Sequence, residues 1–64
     1  MYQNGDYLIL PYEGNVEIFD FLGRKVLSTQ TNEKTIKIKN ISKGFYVIIV
    51  KNSLSLQSRK ILIY

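Results

Sequence analysis

Neither cysteine nor histidine occurs among the 64 residues. Without cysteine there are no disulfides, the usual staples of small secreted domains. Without either residue, the commonest general base, the soft metal ligands and the Cys–His or Ser–His nucleophile pairs are gone. Acidic residues number only five, and of these only Glu17 and Asp20 lie close in sequence, with too little chain to build a pocket around them. Glycine-rich phosphate loops of either standard spacing are missing. The chain is therefore expected to be no enzyme, with no catalytic residue, cofactor or metal site. Its longest apolar run, Phe45 to Val50, is far shorter than a membrane span. No basic stretch followed by an apolar one marks a signal peptide. Helical periodicity, internal repeats and low-complexity tracts are lacking as well.

Period-two alternation is what the chain has in quantity. It predicts six strands at about 6–11, 15–20, 24–29, 34–39, 44–52 and 56–63. Short strands at even spacing indicate an all-β fold, a small antiparallel sandwich or barrel of about six to seven strands. A hydrophobic content of 45% is that of a globular chain, and the 64 residues read as one domain without a linker. Val16 and Ile18 are expected to face inward with Val26 continuing their layer, and Ile36 and Ile38 alternate with outward Lys37 and Lys39. Tyr46, Ile48 and Val50 share one face, as do Ile61 and Ile63. Phe45, Val47 and Ile49 leave the other face of their strand apolar, which suggests a central strand or a covered contact patch. Glu13-Gly14-Asn15 suits a hairpin, and Pro11, the single proline, argues for an edge strand before it.

Charge is divided along the chain. Residues 1–23 carry four acidic and no basic side chains, whereas residues 24–64 carry all nine basic ones against Glu33 alone. The second segment thus holds +8 of a net +4. Lysines spread over several strands keep a small β protein soluble and blunt its edges. The alternative is a surface for anionic partners.

Three motifs punctuate the alternation. Asp20-Phe-Leu-Gly23 fits a type I turn that leaves through a glycine, and it presents Arg24 and Lys25 beside it. Ile41-x-x-Gly44-x-Tyr46 places a tyrosine near the start of a late strand, where the corner tyrosine of immunoglobulin-like sandwiches ties down the preceding loop. Arg59-Lys60-Ile61-Leu62-Ile63-Tyr64 forms a basic and apolar closing strand, open to a reader that captures its end or adds to its edge.

In this order and spacing the motifs resemble the C-terminal sorting domain of type IX secretion cargo in Bacteroidetes, over about residues 6 to 64. The matching positions are Val16, Ile18, Asp20, Gly23, Arg24 and Val26, then Ile41, Gly44, Tyr46, Ile48 and Val50, then Lys60 and Ile61. The resemblance implies an immunoglobulin-like sandwich that directs a larger parent through the periplasm and the outer-membrane translocon to the cell surface or the medium. It also implies a sortase-type protease as a second partner, and a signal peptide carried by the parent. Arg24, Lys25, Arg59 and Lys60 are then the exposed recognition candidates, with Asp20, Gly23, Gly44 and Tyr46 as structural determinants. The family usually opens with a Tyr-Pro-Asn-Pro-like segment, whereas this chain opens Met1-Tyr2-Gln3-Asn4-Gly5-Asp6. A first strand missing there would bare a sheet edge and favour an edge-strand dimer. An extracellular adhesion or spacer module shares the same expected fold. A small basic barrel for nucleic acid is a further alternative, disfavoured because most aromatic residues fall on core positions or outside the basic segment, so no nucleic-acid partner is expected.

Overall fold

The computed structural model describes residues 1–64 and contains seven strands and no helix. They are β1 (Tyr2–Asn4), β2 (Tyr7–Ile9), β3 (Gly14–Phe19), β4 (Lys25–Thr31), β5 (Thr35–Lys37), β6 (Gly44–Lys51) and β7 (Leu56–Ile63). All pairings are antiparallel, in a three-stranded sheet of order β1-β2-β5 and a four-stranded sheet of order β4-β3-β6-β7. Strands β1, β2 and β5 occupy the places of A, B and E in an immunoglobulin-like sandwich. Strands β3, β6 and β7 take those of C, F and G, with β4 beside C as in variable-type domains.

Alternation decides the core. On the inner face of the larger sheet Val16 lies opposite Val50 and Ile18 opposite Ile48, and all four side chains are fully buried. The smaller sheet contributes Leu8, Ile36 and, just past the strand ends, Leu10 and Ile38. Tyr46 and Ile63 complete a cluster of ten buried residues with no charged member. Leu27, Ile41 and Ile61 pack half-buried against it.

The inward positions foreseen at Val16, Ile18, Ile36, Ile38, Tyr46, Ile48, Val50 and Ile63 are buried. Val26 is not; it remains 42% exposed. The register of β3 with β4 shifts between Ile18, opposite Leu27, and Phe19, opposite Lys25, so Val26 is the extra residue of a bulge and Leu27 takes the inward place. Glu13-Gly14 is likewise no hairpin but the crossover from one sheet to the other, since β2 and β3 belong to opposite layers. A Cβ on Gly14 would run into the Lys51 carbonyl, so the crossover can lie this close only with glycine. Pro11 sits in that crossover, and the strand before it, β2, is the central one of its sheet. Strand β1, pairing Tyr2 with Ile9 and Asn4 with Tyr7, was not among the expected six.

The tyrosine corner forms as foreseen. Near the start of β6 the Tyr46 hydroxyl donates to the Ser42 carbonyl at 2.7 Å, bracing the loop that brings the chain from the small sheet to the large one. Replacing Tyr46 by Phe deletes that bond, and should cost about 0.5–1.5 kcal/mol in a urea titration. Ile48→Ala, which empties the middle of the core, should cost about 2–5 kcal/mol. That is comparable to the whole stability of so small a domain, so the Ala variant should be largely unfolded by circular dichroism while the Phe variant folds.

Candidate recognition surface

The outward rows of the four-stranded sheet follow from the same register. Lys25, Phe19, Val47 and Lys60 form one row across four strands, and Ser28, Glu17, Ile49 and Ser58 the next. Phe45 and Leu62 begin a third. This face is therefore apolar at its centre and polar toward its flanks.

A rigid turn adds an aromatic ring at one end. Asp20 organises it: its Oδ1 accepts from the backbone N–H of Leu22 and of Arg24, both at 2.9 Å, and its Oδ2 accepts from Arg24 Nε at 2.8 Å. Gly23 donates to the Asp20 carbonyl and stands at φ +81°, the left-handed conformation that closes a three-residue hairpin loop. Held this way, Phe21 stacks on Phe45 with ring centroids 5.9 Å apart, although it is 63% exposed. Lys60 lies over both rings, at 5.2 and 5.0 Å from their centroids. Contacts of this kind at exposed sites contribute about 0.5–1 kcal/mol.

The four basic candidates occupy different situations. Arg24 is engaged by Asp20, and Lys25 by Glu17 at 2.7 Å, with its ammonium also 5.8 Å from the Phe19 ring. The bulge at Val26 is what turns Lys25 to this face. Lys60 presents its charge beside the aromatic pair without a carboxylate partner. Arg59 projects from the other side of the β7 pleat, opposite Ile48, and is exposed because β7 is an edge. Lys25 and Lys60 thus share a face, Arg24 lies in the turn at its end, and Arg59 stands apart. Gly44 opens β6 opposite Ile63, and with Asp20, Gly23 and Tyr46 it belongs to the framework rather than to this surface. Phe21 escaped the sequence reading, although an exposed phenylalanine inside an Asp-x-x-Gly turn was a legible oddity. No group of three potential metal ligands converges, and no helix is long and apolar enough to cross a membrane.

The family model described as a secretion system C-terminal sorting domain matches residues 3–64. The chain belongs to that family. No curated protein and no solved structure matches it. The sorting domain is the C-terminal signal of type IX secretion, a signal and not a catalytic domain. It marks its bearer for the cell surface or beyond and engages the secretion machinery, and the match favours this reading over a spacer module or a nucleic-acid barrel. Most residues that carried the resemblance are core or turn positions of the sorting domain: Val16, Ile18, Tyr46, Ile48 and Val50 are buried, and Asp20 with Gly23 builds the turn.

The carboxylates of this surface give it a pH response. The Arg24 backbone N–H, supported by the guanidinium and the Leu22 N–H, holds the Asp20 carboxyl below its ordinary range. The hydrogen bond from Lys25, with its charge, does the same for Glu17. Both groups ionise more readily folded than unfolded, so their contribution is fully present above the ordinary carboxylate range and disappears as pH falls through the folded values. The thermal midpoint should accordingly drop on acidification below about pH 4, and Asp20→Asn with Glu17→Gln should flatten that drop. A double variant with an unchanged acid slope would show that these two carboxylates do not set it.

Proposed function

We propose that residues 1–64 act as one folded, non-enzymatic export address, and that the outer-membrane translocon reads it through Arg24, Lys25, Arg59 and Lys60. A sortase-type protease then separates it from its parent. The observation that carries this reading is the coincidence of the family match, residues 3–64, with the folded span from Tyr2 to Ile63. The signal is thus a shaped surface rather than a linear peptide. The exposure of all four basic side chains supports their role, and the free charge on Lys60 and Arg59 makes these two the stronger contributors. The expected edge-strand dimer would form at β1, an edge of the smaller sheet whose Tyr2 is exposed.

Fusing these residues behind a signal peptide and a fluorescent protein in a type IX-competent bacterium tests the export role. Surface or medium fluorescence should appear, and should vanish in a translocon-deficient strain. Arg59→Glu with Lys60→Glu should leave the fusion in the periplasm while Arg24→Glu has the smaller effect. Equal export of all variants would remove these residues from recognition. Size-exclusion chromatography that gives only monomer at high concentration would remove the dimer.

A further inference from the structure

The two sheets have four edges, and they are guarded unequally. Strands β1 and β5 are three residues long, which limits another chain to a short pairing there. Strand β4 is longer but carries the bulge at Val26, which twists an edge away from regular pairing. Strand β7 has neither protection. Its eight residues, Leu56–Ile63, stay in unbroken register with Gly44–Lys51 of β6, and the only proline of the chain lies elsewhere. Nothing pairs with its far side. At the Tyr64 end the Gln3 side chain grips the backbone, donating to the Tyr64 carbonyl at 2.7 Å and accepting from its N–H at 2.9 Å. The rest of the edge lies open.

Two cations sit in the middle of it. Arg59 and Lys60 point to opposite faces of the pleat, and neither has a carboxylate partner, unlike Arg24 and Lys25. A second copy cannot use this edge well, because antiparallel self-pairing keeps each face to itself, so its two most extensive registers set Arg59 opposite the second copy's Arg59 or Lys60 opposite its Lys60, and like charges directly across a ladder destabilise it. The same pair favours a strand that brings two consecutive acidic residues. Beyond them the edge is apolar on one side, at Ile61 and Leu62, polar at Gln57 and Ser58, and apolar again at Leu56.

We infer that β7 is a strand-addition edge, which takes an extended segment of a partner protein with paired acidic residues between apolar ones. Main-chain hydrogen bonds along β7 supply the attachment, and Arg59 and Lys60 select the sequence and register. The inference rests on the export reading only for placing that partner in the secretion machinery; the edge itself can be tested without it.

The probe is an acetylated, amidated peptide Val-Ile-Glu-Glu-Thr-Thr-Val, with a control in which both Glu are Lys, added to the full chain and followed by amide hydrogen exchange. The Glu peptide should slow exchange in β7 from Leu56 to Leu62 and leave β4 unchanged. It should bind about tenfold tighter than the Lys peptide, a ratio set by two exposed cross-strand charge pairs. Arg59→Glu with Lys60→Glu, checked for an unchanged thermal midpoint, should reverse the preference, and Arg59→Gln with Lys60→Gln should abolish it. Equal binding of both peptides, protection confined to the Phe21–Phe45 face, or protection of β7 by an oligonucleotide but not by the peptide would each overturn the inference. Its failure is distinguishable from failure of the export reading, because export of the unsubstituted fusion does not depend on the peptide result.

Discussion

The pairing of β3 with β6 is the constraint on which the rest depends. Two strands in the middle of a sheet bury Val16, Ile18, Ile48 and Val50 completely on one side. The strict period of two then dictates what the other side shows: Glu17, Phe19, Val47 and Ile49. The outer surface is thus the geometric complement of the core. A slip of one residue in that register would exchange the two sets and abolish both. Such a slip is opposed at both ends, by the Gly14 crossover against the Lys51 carbonyl and by the Asp20 turn.

A division of labour follows between the residues that define the family and those available to a partner. Asp20, Gly23, Gly44 and Tyr46 shape loops, and the aliphatic positions fill the interior. The exposed surface is set by their neighbours: Phe21 in the turn that Asp20 holds, Lys25 beside the bulge, and Lys60 over the stacked rings. An acidic group organises each basic one near the turn, so the charge there is oriented more than it is free. Along β7 the opposite holds.

How much of this the chain disclosed in advance depended on the range of the interaction. Local chemistry was legible: the Asp-x-x-Gly turn, the corner tyrosine, and the alternation that separated Ile36 and Ile38 from Lys37 and Lys39. Events that depend on a second strand were not. The bulge at Val26 arises because a three-residue turn and the inward demand of Leu27 are one residue out of phase, which only the paired register reveals. The crossover at Gly14 passed for a hairpin because glycine flanked by polar residues serves either purpose, and the close approach to Lys51 is distant in sequence. Strand β1 was too short to display a period. The basic candidates were correctly placed at the surface, but whether they converge depended on pleat side and edge position.

The grip of Gln3 on Tyr64 brings residues separated by 61 positions within hydrogen-bonding reach. Topologically the domain is close to a ring with a single nick. A short linker could seal that nick and a new one be opened in the polar loop around Asn32, leaving every surface intact while moving the ends of the folded unit to a different pole. Shape and the position of the folded unit's ends are thereby separable properties of one molecule. A machine that inspects the folded outline would treat the permuted ring as the original, whereas one that threads a tail would find the tail in the wrong place.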